Sequence, residues 1–284
     1  MRRLLVALGL VAAAYSGLPL AGYVWDDHAL VVANRVLTEP TFDGVFRQDL
    51  WCCTVSNTSG YYRPLLTVTF LVDRWLFGVA PGPAHVHSLL WHLACVTLAW
   101  ALLRPRIGEW PAAAAALIFG VHPIQSEAVV WIAARNDLMA AAGVLGALLA
   151  LDRGRPGLAG VAALAGCLSK ENAYLVLPIA WVWRRAWGER LDLRGGIAIA
   201  AGLAVALAAR TQAELGGFRA THTGEFVTVD AAKNAVVTLM GWLVYPWPLT
   251  TTASLHMPAP RPGAWPAAAV AAAGLAWVAV RGGA

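Results

Sequence analysis

Charge is what this sequence has least of. Only 13% of its 284 residues are charged, while 59% are hydrophobic and the mean hydropathy is +0.60. A soluble domain carries about 25% charged residues, so the chain cannot cover a water-facing globule. That excludes a soluble enzyme, and no nucleic-acid partner is expected. Cysteine is scarce, with four copies and no metal-type spacing. Cys95 and Cys167 fall in apolar runs, where a thiol acts as a small hydrophobe. Cys52 and Cys53 are adjacent in a polar segment, as a vicinal disulfide or two free thiols. No repeat of 20–50 residues is visible, which excludes a solenoid within the chain. P-loop, nucleophile-elbow, HExxH and GxGxxG patterns are also missing.

What is present is apolar length. Runs stand near 4–21, 85–103, 110–122, 138–151, 157–169, 172–183, 195–209 and 264–280, and many of the 14 tryptophans lie near their ends. Rings of that kind favour the membrane interface. The reading is an all-α polytopic membrane protein with about eight transmembrane helices, one membrane-embedded domain over 1–284. A crossing needs about 20 residues. The 138–151, 157–169 and 172–183 runs are shorter, so their flanks extend into the membrane zone or they are broken helices lining a cavity. Val236 to Trp247 reads as re-entrant or interfacial. The opening Met1-Arg2-Arg3 and its apolar run reads as an uncleaved first span rather than a signal peptide.

Charge sets the orientation. With Met1 cytoplasmic and eight spans, the inner segments hold eleven arginines, Arg2, Arg3, Arg104 and Arg106 among them, against four acids. The outer segments hold the other ten bases and twelve acids. The positive-inside rule then places both termini in the cytoplasm. The outer face receives long segments at about 22–84 and 210–263 and short ones around 123–137 and 169–172. The first long segment bears an amphipathic helix from Tyr61 through Phe77, interrupted by Asp73 and Arg74. Asn57-Thr58-Ser59 is a glycosylation acceptor only in a eukaryotic secretory compartment.

The unusual polar residues lie in those outer segments. Trp25-Asp26-Asp27-His28 follows the first span, and adjacent carboxylates raise one another's proton affinity. Such a pair suits a general base or a cation site, or it is a solvated loop start. In His122-Pro123-Ile124-Gln125-Ser126-Glu127, Glu127 lies two helical turns before Arg135, close enough to share a face, and Asp137 opens the next run. Ser169-Lys170-Glu171-Asn172 is either a tight turn or a place where a lysine meets a lipid phosphate. His85, His87 and His92 cluster without a carboxylate in ligand spacing, so packing or hydrogen bonding is the expectation, with no protein-built metal site.

The order of these blocks is more informative than any one of them. Val24-Trp25-Asp26-Asp27-His28 with Asn34 is followed by Tyr62-Arg63-Pro64-Leu65. Then come Phe119-Gly120-Val121-His122-Pro123-Ile124-Gln125-Ser126-Glu127-Ala128-Val129, Ala134-Arg135-Asn136-Asp137-Leu138 and Leu168-Ser169-Lys170-Glu171-Asn172. This series resembles the transmembrane and tetratricopeptide-repeat O-mannosyltransferase family and its bacterial relatives. It covers most of 20–185, with a looser match from Leu239 to Leu249.

The resemblance implies a GT-C-like bundle in a multi-pass protein of the bacterial inner membrane. It implies a membrane glycosyltransferase with its active site on the outer face. A mannose-like sugar would pass, with inversion, from a polyprenyl-phosphate donor to a hydroxyl of a protein or glycan acceptor. By that resemblance Asp26 or Asp27 is the catalytic base. Arg63, Arg135 and Lys170 face the lipid phosphate, while Glu127, Asp137 and Glu171 orient those cations or the sugar. His28 and His122 are accessory candidates. Asp26, Asp27 and His28 could help hold a divalent cation, though three neighbours on one loop rarely complete such a site. Gln125 and Asn136 depart from the pattern, and a repeat domain is not seen. The competing readings are a degenerate scaffold and a lipid-linked transporter.

Overall fold

The computed structural model describes residues 1–54 and 60–216. The Asn57-Thr58-Ser59 triplet, the 236–247 segment, the looser match at 239–249, the 264–280 run and most of the second long outer segment lie outside them. Among the described residues every regular element is helical. Four helices are long and apolar enough to cross a membrane: Arg2–Leu20, Pro81–Ile107, Ile132–Asp152 and Leu193–Leu215. Glu109–Val121 and Pro123–Val130 make a fifth if the pair, bent by 50° at His122, is one span. Pro156–Ser169 has 14 residues, only about 21 Å of helix against a hydrocarbon core of about 30 Å. Eight crossings would need this helix, the one after it and the 264–280 run to traverse as well.

Two units are distinguished. The first comprises Met1–Ala180 and Asp192–Thr221; the second comprises Trp181–Leu191 and His222–Ala284. In chain order the helices are α1 (Arg2–Ala14), α2 (Arg35–Thr38), α3 (Phe42–Phe46), α4 (Pro64–Phe77), α5 (Pro81–Ile107), α6 (Glu109–Val121), α7 (Ser126–Val130), α8 (Arg135–Asp152), α9 (Pro156–Ser169), α10 (Val176–Ala186) and α11 (Leu193–Leu215). Within the second unit the described part is short. There Arg184 pairs with Glu189, and the rings of Trp183 and Trp187 sit 5.8 Å apart.

In the first unit, helix starts follow local chemistry. Proline occupies the first turn of α4, α5 and α9, where its missing N–H costs nothing. Asn34, Thr41 and Asp192 cap α2, α3 and α11 through their side chains. The α8–α9–α11 stack is built from small residues. A Cβ on Gly143 would lie 2.6 Å from the Gly166 Cα, and one on Gly160 would lie 2.5 Å from the Ala198 carbonyl. In lipid, helices gain little by hiding apolar surface from one another, so close backbone approach of this kind holds them together. The outward faces stay apolar, with Leu5 and Leu10 on α1, Ile118 on α6, Val161 on α9 and Val205 on α11 exposed. In water such faces would be association-prone; in a bilayer they meet lipid.

The polar ends separate along α8, which carries Asp137 in its first turn and Asp152 as its last residue. Those positions are about 23 Å apart by helical rise. At the Asp152 end Arg106 pairs with Asp152 at 2.8 Å, Arg104 with Glu109 at 2.9 Å, and Arg3 lies over Trp110. At the Asp137 end the first loop folds into a small core of its own. Leu30, Val31, Leu37 and Leu50 pack on Leu66 and Phe70 of α4 and on Ile132 and Met139. The amphipathic segment expected from Tyr61 to Phe77 is α4. It buries Leu66, Phe70 and Asp73 and exposes Trp75, Leu76 and Phe77.

Candidate functional site

The first acidic pair is split by the fold. Trp25 has a φ of +48°, uncommon for any residue but glycine. Its ring meets Trp131 edge-on at 5.0 Å. Backbone strain of this sort costs about 1–3 kcal/mol and persists only where surroundings enforce it. Here it turns Asp26 one way and Asp27 the other. Asp27 is fully buried. One of its oxygens accepts the Ala133 amide at 2.7 Å and the other the Val24 amide at 3.2 Å. It is a staple between the first loop and the turn before α8. Asp26 is half-buried and accepts a hydrogen bond, 2.9 Å, from the Trp131 indole Nε1–H. Burial pushes the Asp26 carboxyl up from its ordinary value, against the Trp131 bond and the attraction of Arg63. Asp27 is also raised, chiefly by burial, with its backbone hydrogen bonds opposing.

Two ion pairs join the motif blocks, and one of them holds Arg63, whose charge reaches Asp26. Arg63 grips Glu171 through Nη2 at 2.9 Å and Nε at 3.2 Å, and its guanidinium lies 4.3 Å from the Tyr61 ring centroid. Lys170 Nζ reaches both oxygens of Asp137 at 2.7 Å. Arg210, a residue the sequence reading left aside, comes within 4.0 Å of Glu171 and donates to the Gly60 carbonyl at 3.2 Å. A cavity of about 410 Å³ lies below it, bounded by Glu171, Tyr174, Leu203, Leu207 and Arg210. Its lining is mostly apolar, with Glu171 and Arg210 as its charged groups.

Glu127 lies exposed on α7. Its side chain makes no hydrogen bond or ion pair among the described residues, and Asp137 and Lys170 are within electrostatic reach of it. His122 Nδ1 accepts the Ile124 amide at 3.2 Å and shapes the bend before α7. His28 is exposed. Among the described residues no three His, Cys, Asp or Glu side chains gather as a metal site. Asp27, turned to backbone amides, does not join Asp26 and His28 in one.

Arg135 departs from its expected place. It does not pair with Glu127, nor does it face outward; it is wholly enclosed. Its Nη1 meets Asp73 at 2.6 Å and Thr69 at 3.1 Å, its Nε donates to Ser88, and its Nη2 donates to the Ala84 carbonyl at 2.7 Å. Asp73 also meets His87 Nδ1 at 2.5 Å, and Trp91 donates to His87 Nε2. A guanidinium so occupied cannot also receive a phosphate, so Arg135 ties α4 and α5 to α8. The other histidines bond to backbone: His85 to the Gly22 carbonyl and His92 to that of Gly120. Sequence reading missed Asp73, Trp131 and Arg210. An acid on the apolar face of α4 is the one signal that could have exposed Asp73, since a buried acid demands a partner.

No family model and no solved structure matches the chain. It is similar to human protein O-mannosyl-transferase TMTC3, 26% identical over 55% of this chain and 17% of that protein. It is similar also to mouse protein O-mannosyl-transferase TMTC2, at 29% over 67% of the chain and 25% of the relative. Drosophila melanogaster protein O-mannosyl-transferase Tmtc2 is 31% identical over 55% of the chain and 19% of its own length. The chain thus spans a quarter or less of these relatives, and it is over half or more of its own length that it is related to proteins named O-mannosyl-transferases.

Proposed function

We propose that this chain is the membrane part of a glycosyltransferase that moves a mannose-like sugar from a polyprenyl phosphate to a hydroxyl of a protein or glycan acceptor. The supporting observation is the grouping at one end of the bundle. A half-buried carboxylate with a restraining hydrogen bond, Asp26, stands with the Arg63–Glu171 and Lys170–Asp137 pairs. The names of the relatives support the sugar and the acceptor class. The excess of arginine at the opposite end of the helices supports placing this end on the outer face.

Asp26 acts as general base, which narrows the earlier choice between the two acids. The acceptor O–H gives its proton to the free edge of the carboxylate. The acceptor oxygen bonds to the anomeric carbon from the face opposite the leaving group. The bond from that carbon to the phosphate oxygen breaks, the pair of electrons stays with the phosphate, and configuration inverts. A raised proton affinity helps a carboxylate of this kind accept the proton at neutral pH. The leaving phosphate gains negative charge, and Arg63 and Lys170 can meet it while Glu171 and Asp137 hold them in place. Glu127, which makes no hydrogen bond or ion pair among the described residues, would hold a sugar hydroxyl.

The test is transfer by purified protein from a panel of polyprenyl-phosphate sugars to acceptors in a membrane extract. The panel runs beside an Asp26→Asn variant of matched folding. Transfer that disappears in the variant is expected. Transfer that survives would remove the base assignment, and absence of transfer from every donor would favour a scaffold.

A further inference from the structure

The first loop carries a second chemical feature that the transfer reading does not use. Cys52 and Cys53 are both free and partly exposed, and their sulfurs approach to 2.7 Å. The turn around them is anchored at several points. The Cys52 amide donates to the Asp49 carbonyl, and the Cys53 carbonyl accepts the Arg35 amide, both at 3.1 Å. The Asp49 carboxylate then accepts amides from Trp51, Gly60 and Tyr61. Tyr61 is the ring against which Arg63 rests.

We infer that Cys52 and Cys53 are a thiol–disulfide couple, oxidised in place by a disulfide-bearing oxidant. One thiolate attacks the oxidant's disulfide and releases one of its sulfurs as a thiol. The neighbouring thiol then displaces the other. The chain loses two S–H bonds and gains one S–S bond, while the oxidant is reduced to two thiols. Burial and the adjacent thiol push Cys52 well up, so it is not the thiolate that attacks first at neutral pH.

Strain makes this couple a switch and not a staple. Consecutive Cα atoms stand about 3.8 Å apart, closer than the roughly 4.4–6.8 Å that relaxed disulfides span. A bridge between neighbours is therefore strained and readily reduced. Closing it twists the peptide between the two residues, and the groups on either side of that peptide, the Cys52 amide and the Cys53 carbonyl, are the points tied to Asp49 and Arg35. Through Asp49 that twist reaches Tyr61 and the Arg63 side of the candidate site. This reach rests on the transfer reading; the thiol chemistry does not. Residues of the first outer segment would also meet the compartment where disulfides persist.

The experiment uses the full chain in detergent, equilibrated in mixtures of reduced and oxidised glutathione. Acid quenching, thiol alkylation and mass analysis of the peptide carrying Trp51 to Thr54 follow. The expected result is joint loss of both alkylations along one two-electron transition. The peptide becomes lighter by two hydrogens, and dithiothreitol reverses the change. Cys52→Ser should leave Cys53 either alkylated or carrying one glutathione. Two thiols that stay alkylated in the most oxidising mixture, or that take up glutathione separately, would overturn the couple. Because mass is the readout, a failure here is distinct from a failure of sugar transfer.

Discussion

Two ionic clusters lie within a few helices of each other and differ in what surrounds them. Around Arg135 the ion pair is sealed: side chains of Asp73, Thr69, Ser88 and His87 occupy every direction the guanidinium can point. Around Arg63 and Lys170 the pairs keep open sides, with the Lys170 side chain 21% and the Asp137 side chain 38% exposed. The two clusters share one motif block, in which Arg135 of the sealed cluster and Asp137 of the open one stand two residues apart. Residue type therefore does not separate architecture from chemistry; access does. A charge that must meet a substrate has to keep part of its shell unfilled, whereas a charge that holds helices together must have none left over.

The largest expected effect belongs to the open side. Asp26→Asn should lower transfer by about 10²- to 10⁴-fold, the range a positioned general base contributes, with the thermal unfolding midpoint in detergent unchanged. Asp27→Asn should instead lower the midpoint, because it disturbs the carboxylate that accepts the Ala133 and Val24 amides. If the two variants lose activity and stability alike, the division between base and staple fails.

The sealed side comes next. Arg135→Met leaves Asp73 buried without its cation and should cost about 3–5 kcal/mol, read by denaturation or by loss of folded protein from membranes. Pairing it with Asp73→Leu should recover much of that loss, because removal of both partners leaves no orphaned charge. A double variant no better folded than the single one would show that the pair is not what seals this region. At the open pairs the same kind of change is mild for folding. Lys170→Met should cost at most about 1 kcal/mol, as for exposed ion pairs, yet it should reduce transfer if Lys170 meets the phosphate.

How much of this was legible beforehand follows the same line. Membrane class was readable because hydropathy is additive along the chain, and the motif blocks were readable as concentrations of polar residues. The pairing of Arg63 with Glu171 joins two blocks that had each been singled out. What could not be read was direction. Asp26 and Asp27 are neighbours with identical chemistry, and only the backbone at Trp25 sends one to the backbone amides and the other to an indole. Nor could spacing reveal that Arg135 prefers Asp73, because Glu127 is its helical neighbour by count while Asp73 arrives from a separate helix. The number of spans is hard to read for a related reason. Apolar length alone does not say whether a 14-residue helix such as α9 crosses, and its Gly160 and Gly166 pack tightly between neighbours.

The smallest effect tests how Asp26 is tuned. Its carboxyl is raised above the usual range by burial, and the Trp131 hydrogen bond works against that rise by favouring the charged form. As a base it must be ionised, so transfer is full above its proton-binding range and falls as pH drops through it. That acid limb should lie above the pH at which an ordinary aspartate titrates, about 3.9. Trp131→Phe keeps an aromatic ring beside Trp25 and removes only the N–H donor. The charged form loses a stabilising bond, proton affinity increases, and the acid limb should move to higher pH while the alkaline plateau changes little. A limb that stays in place would mean that the indole positions the loop without tuning the acid. A limb that moves to lower pH would mean that burial at Asp26 depends on the indole more than its charge does.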